Sequence, residues 1–114
     1  MTDEYVPEAG HVVWTDFDPR TGREQGGRRP ALVVSPAPFW IASRLAIVCP
    51  ITSQIKDFPT LVSLPDGILP KPSAVMVDQV RAVDWRARGG TPAACCPAAV
   101  TAEVLRKLTV LIAS

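Results

Sequence analysis

Two short stretches of the 114-residue chain carry side chains that could do chemistry, Glu24-Gln-Gly-Gly-Arg-Arg-Pro30 and Pro50-Ile-Thr-Ser-Gln-Ile-Lys56. The first offers a carboxylate and two guanidiniums among glycines. The second offers two hydroxyls, an amide and an ammonium. Together they suit a phosphodiester, because an Arg can bind two phosphate oxygens at once and a hydroxyl can hydrogen-bond a third. The same residues also read as solvated loop charges and the polar end of a strand, the commoner origin of such composition. Other chemistries lack their parts. With one histidine, three unclustered cysteines and no carboxylate pair at helical metal spacing, neither a metal hydrolase nor a His-activated nucleophile can be assembled, and no metal or other cofactor is expected. His11, beside a strand start, reads as a structural or surface residue, and Cys49, in an apolar run, as core. Cys95 and Cys96 are adjacent, so a bond between them would be strained, and reduced thiols in a reducing compartment are expected. Gly26-Gly27 lacks the strand-to-helix setting of a phosphate-binding loop.

The elements that must position these residues are mostly short strands. Gly10–Phe17 is rich in β-branched and aromatic residues and ends at Asp18-Pro19. Arg20–Arg29 has no apolar residue and reads as a polar surface loop. A second strand is expected over Pro30–Ser35, ended by Ser35-Pro-Ala-Pro38. Leu45–Ile51 is almost continuously apolar, as a strand buried on both faces would be, and delivers the polar segment that follows it. Thr60–Leu64, Ala74–Val80 and Val80–Trp85 complete a set of about six strands. Only the end of the chain is plainly helical. Thr101 is the expected N-cap there, Val100 and Leu105 a hydrophobic staple, and Val104, Leu105, Leu108, Leu111 and Ile112 recur at helical spacing. The expected architecture is a mainly β domain, a small, strongly bent antiparallel sheet or barrel closed on one side by a C-terminal helix.

Composition agrees with a single domain, residues 1–114. With 47% hydrophobic and 20% charged residues there is one core, and 12 prolines, about twice the average usage, rule out a helical bundle. No apolar stretch approaches the roughly 20 residues that cross a bilayer, and Asp3, Glu4 and Glu8 stand where a secretory signal carries basic residues, so a soluble cytoplasmic protein is expected. The net charge is only +1, but Arg20, Arg23, Arg28, Arg29 and Arg44 face Glu24 alone in one window, and Arg81, Arg86 and Arg88 crowd another against Asp84. Two local patches could hold a polyanion. A half-covered sheet and an apolar helix in so short a chain also leave surface that a second copy would bury.

Read together, Gly10-His-Val-Val-Trp-Thr-Asp-Phe-Asp-Pro19, Gly22-Arg-Glu-Gln-Gly-Gly-Arg-Arg-Pro-Ala31, Val34-Ser-Pro36, Thr52-Ser-Gln-Ile-Lys56, Ala74-Val-Met-Val-Asp-Gln-Val80 and Trp85-Arg-Ala-Arg-Gly89 resemble the MazF/PemK family of toxin endoribonucleases, most closely its MazF branch. No single piece would suffice. The resemblance implies an SH3-like barrel of the MazF/PemK/CcdB type, a homodimer, and metal-independent cleavage of single-stranded mRNA to 2′,3′-cyclic phosphate and 5′-hydroxyl ends. It implies a partner as well, an antitoxin whose acidic C-terminal segment covers the basic groove. By position, Arg29, Thr52 and Glu24 become the catalytic candidates. Arg29 would stabilise charge on phosphorus-bound oxygens, Thr52 would hold one of those oxygens, and Glu24 would accept the 2′-hydroxyl proton or orient Arg29. The RNA supplies its own nucleophile.

One departure matters. The PemK-like branch has an Arg two residues before the Asp of its Asp-Gln pair, and Met76 stands there, so a mechanism built on that Arg does not transfer. Asp78 and Gln79 become substrate-positioning candidates. Gln25, Arg28, Ser53, Gln54, Lys56 and Arg86 are RNA-binding candidates, with Trp14 and Phe17 as stacking surfaces, although core packing is the commoner role of such aromatics. The alternative on the same fold is a CcdB-type gyrase poison or a non-catalytic RNA-binding module. The gyrase poison depends on a C-terminal Trp, and this chain ends Leu111-Ile-Ala-Ser114.

Overall fold

The structure, a computed structural model, describes residues 4–17 and 27–113. Glu24 and Gln25 lie outside the described residues. The elements run β1 (His11–Asp16), β2 (Arg28–Val33), α1 (Ala37–Ser43), β3 (Ala46–Thr52), β4 (Leu61–Ser63), β5 (Ala74–Met76), a 3-10 turn (Val77–Gln79), β6 (Arg81–Val83), β7 (Thr91–Cys95) and α2 (Ala98–Ala113). All the strand pairings are antiparallel, in the order β4-β5-β3-β2-β1-β7, with β6 also on β3. The sheet bends but does not close; β4 and β7 end the main strand order, and β6 is a branch with β3 as its one neighbour among the described residues.

β3 is the strand around which the sheet divides. Its first half pairs with β6 through Ala46↔Val83 to Val48↔Arg81, and its last residues pair with β5 through Ile51↔Val75 and Thr52↔Ala74. Pro50, which has no N–H to donate, falls where β3 changes partners on that side, a position that spares the ladder a central proline. The period-2 alternation of the strands then feeds two cores. Val12, Leu32, Cys49, Ile51 and Val75 pack with Val104 of α2, while Val13, Ala31, Val33 and Val48 pack with Phe17, Trp40, Val83 and Trp85. Tyr5 and Val6 lie against the second core. Burial on both faces explains why β3 reads as one apolar run.

Several boundaries differ from the sequence reading. β2 starts two residues before Pro30, because the ladder with β1 extends through Thr15↔Arg29 to Asp16↔Arg28, so both arginines stand on a strand and not in the loop. Helix α1 occupies a stretch expected only to end a strand. Pro36 is its N-cap and a further proline lies in its first turn, where a missing N–H costs no intrahelical bond. Arg44 closes it at φ 62, donating its N–H to the Trp40 carbonyl at 2.7 Å and lying 4.5 Å over the Trp40 ring. β7 was not expected, since Thr91-Pro-Ala-Ala-Cys95 has little of the β-branched and aromatic character of an inner strand; at an edge such composition suffices. α2 begins at Ala98, so Thr101 lies inside its first turn, buried against Gly10, and is not the N-cap.

Candidate nucleic-acid interface

The β2–β3 ladder ends at Ala31↔Pro50; Arg29 lies two residues before that end on β2 and Thr52 two residues after it on β3. Two cavities open on either side of this point. The first, of 340 Å³, is cationic: Arg28, Arg29 and Lys71 line it together with Trp14, Ser53 and Ser73. The second, of 180 Å³, is lined by Thr52, Gln54, Lys56, Phe58, Asp78 and Gln79 among others. Ser53 faces the first and Thr52 and Gln54 the second, so the end of β3 is the ridge between them. Arg29 and Thr52 therefore stand at one ridge but line different cavities.

Each side chain is held by a local device. Thr52 is buried at the last position of β3, and its Oγ1 accepts the Gln54 N–H at 3.0 Å, a turn that carries the chain away from the sheet into the exposed segment 53–59. Arg28 is tied to the β6–β7 side. It donates to the Gly89 carbonyl at 3.0 Å and to Thr91 Oγ1 at 3.1 Å, and lies 3.9 Å from the Asp16 carboxylate across β1. Asp78 and Gln79 ride on the 3-10 turn, which is fastened to the loop opposite by Val77 N–H donating to the Thr60 carbonyl at 3.0 Å. Among the described residues no group of three or more His, Cys, Asp or Glu could hold a metal ion.

The remaining candidates fall elsewhere. Phe17 is fully buried in the second core with the Arg81 guanidinium 5.6 Å over its ring, so it offers no face to a ligand and is a packing residue. Trp14 is only partly buried and lines the cationic cavity. Arg86 lines neither cavity; its guanidinium pairs with Glu4, which also pairs with Arg44 at 3.3 Å. Arg88 donates to the Asp16 carbonyl at 3.1 Å. The second basic cluster is thus engaged in holding the N-terminal segment and β1 to the sheet. Lys71, Ser73 and Phe58 were missed from sequence. They come from loops and a strand edge with no motif of their own, and only the bend that brings β5 beside β3 puts them at the site.

The chain is similar to known proteins over most of its length. The chain is 40% identical to the endoribonuclease toxin MazF of Escherichia coli (strain K12) over 95 residues, 80% of each chain. It is 38% identical to the Escherichia coli endoribonuclease PemK over 109 residues, 92% of this chain and 81% of that one. Among solved structures, MazF from Deinococcus radiodurans superposes with a TM-score of 0.91 at 46% identity, covering 97% of this chain and all of the other. A MazE-MazF structure from the same organism gives 0.83 at 43% identity, covering 96% and 98%. The profile of the PemK-like, MazF-like toxins of type II toxin-antitoxin systems matches residues 8–112, and the chain belongs to that family.

Proposed function

We propose that this chain is a sequence-specific endoribonuclease, the toxin of a toxin–antitoxin pair, which cleaves single-stranded RNA at the ridge between its two cavities. The observation that supports the reading is that Arg29 and Thr52 each lie two residues beyond the last rung between β2 and β3, Arg29 lining a cationic cavity and Thr52 a polar one. A strand lying across the ridge has its scissile phosphate between the guanidinium and the hydroxyl, its backbone running over Arg28 and Lys71, and a base beside Gln54, Lys56, Asp78 and Gln79. Ser53 and Trp14 line the phosphate side.

The reaction needs no protein nucleophile. The ribose O2′ loses its proton and attacks the adjacent phosphorus, the O2′–P bond forms as the P–O5′ bond breaks, and the departing O5′ takes up a proton from solvent, so the products are a 2′,3′-cyclic phosphate and a 5′-hydroxyl. Arg29 stabilises the charge that gathers on the non-bridging oxygens, and Thr52 donates to one of them. Glu24 accepts the 2′-proton or orients Arg29. The solved MazE-MazF complexes are of a relative; for this chain the corresponding partner is an antitoxin whose acidic segment competes with RNA for the same basic surface. A homodimer is supported by α2, whose Val110, Leu111 and Ile112 are exposed in succession. The cytoplasm, where mRNA is met, is the site of action; no helix among the described residues is long and apolar enough to cross a membrane.

Incubating the purified protein with mixed-sequence RNA and sequencing the products with end-group analysis tests the reading. Cuts at a shared short motif with cyclic-phosphate ends are expected. Intact RNA, or 3′-hydroxyl ends, would refute it.

A further inference from the structure

We infer that the 180 Å³ cavity is a nucleobase pocket in which Phe58 is the stacking platform and Lys107 the positioning residue, and that it takes a base carrying an exocyclic amino group. The inference rests on the ribonuclease reading and adds to it the residues that read one base.

Three observations converge. Phe58 is 56% exposed, yet it is no isolated surface hydrophobe: it lines a cavity whose other residues are polar except for Leu61 and Met76. An aromatic face beside hydrogen-bonding groups is what an unpaired base requires, since its plane is apolar and its edge is not. The edge-reading groups are at hand. Asp78 can only accept when ionised, which suits the amino group of adenine, cytosine or guanine and leaves uracil without that donor; Lys56 donates to a ring nitrogen or carbonyl, and Gln54 and Gln79 do either. On the same wall, the Thr60 hydroxyl is buried without a hydrogen-bond partner.

The platform is also braced. Lys107 of α2 donates from Nζ to the carbonyls of Pro59 and Leu61, at 2.5 and 3.4 Å, immediately after Phe58. The Leu61 N–H returns to the Phe58 carbonyl at 3.1 Å, and the Thr60 carbonyl accepts from Val77. One short turn therefore links the stacking ring, the helix and the 3-10 turn that carries Asp78 and Gln79. The spacing between platform and edge-reading groups is set by that link.

The test is titration of the ¹⁵N-labelled protein with AMP, CMP, GMP and UMP, following the amides of Thr60, Asp78 and Gln79. At least one amino-bearing nucleotide should bind about fivefold or more tighter than UMP, and Phe58→Ala and Phe58→Leu should each weaken it about tenfold while Phe58→Trp keeps it. Leucine retains apolar bulk without a π-face, which separates stacking from packing. Lys107→Met should narrow the preference over UMP, and Lys107→Arg should restore it. Equal affinity for UMP, no shift at these amides with any nucleotide, or unchanged binding in Phe58→Ala would overturn the inference. RNA cleavage is read in parallel: a wild type that binds nucleotides with this preference but leaves RNA intact would sink the ribonuclease reading and spare the pocket. If it cuts, Phe58→Ala should lose preference at one position of the motif.

Discussion

Arg28 and Arg29 are adjacent and chemically identical, and their surroundings differ. Arg28 sits opposite Asp16 and reaches across to Gly89 and Thr91, so its guanidinium fastens β2 to the β7 side. Arg29 sits opposite the buried Thr15 and lines the cationic cavity, and in the proposed reading it is the one that meets the phosphate. Cys49, one face over, shows what burial does to a group the reaction does not use. Its thiol is pushed up from 9.0 to about 12, mainly by desolvation, with the Asp78 charge adding to the shift. Below pH 9 the folded and unfolded chains both hold this proton. Between 9 and 12 the unfolded chain releases it first, so stability falls as pH rises through that window. Tyr5, raised from 10.0 to about 12 chiefly by burial, adds to the loss only above pH 10. Urea unfolding at pH 8, 9 and 10 should therefore show a shallower decline in Cys49→Ala than in the wild type; parallel declines would contradict this account of the thiol.

At the scale of elements, the β6–β7 connection is tightly constrained at Gly90. A Cβ added to Gly90 would lie 2.0 Å from Nε1 of the buried Trp85 indole, so Gly90→Ala must displace either the ring or the backbone that leads into β7. Such overpacking costs about 1–3 kcal/mol; a lowered urea midpoint with unchanged slope is expected, and an unchanged midpoint would show that the loop yields freely. The elements also show where sequence reasoning stops. β1 and β3 were legible because their composition reports directly on burial, and the apolar spacing of α2 reports on its helical form, although of the apolar positions on that spacing only Val104 is fully buried. α1 was lost because Pro36 and a proline just after it look like breakers when in fact they open a helix. β7 was lost because an edge strand that faces water need not carry an inner strand's side chains. For the site, Thr52 at the exit of a buried strand and the Asp78-Gln79 pair could be picked out from composition and resemblance. Phe58 and Lys71 could not, because a loop residue's neighbours are set by the bend of the sheet and leave no trace in local spacing.

At the scale of the whole molecule, the two faces of the sheet are covered unequally. One is closed by α2 and the other by α1 and the N-terminal segment, while the far end of α2 leaves Ile112 72% exposed beside Val110 and Leu111. Sedimentation at micromolar concentration should find a dimer, and Ile112→Glu should shift it toward monomer; a monomeric wild type would contradict the proposed dimer. In the proposed reading RNA crosses the ridge at the end of β3, so the proposed chemistry depends on one pair of side chains. The most direct test compares the wild type with Arg29→Ala, Thr52→Ala and Arg28→Ala on the same RNA in EDTA, with folding checked by circular dichroism. Arg29→Ala should lower the cleavage rate by about 10²–10³, Thr52→Ala should lower it by about tenfold or more, and Arg28→Ala should lower it less than Arg29→Ala. Equal cleavage by folded Arg29→Ala, Thr52→Ala and wild type would contradict the account.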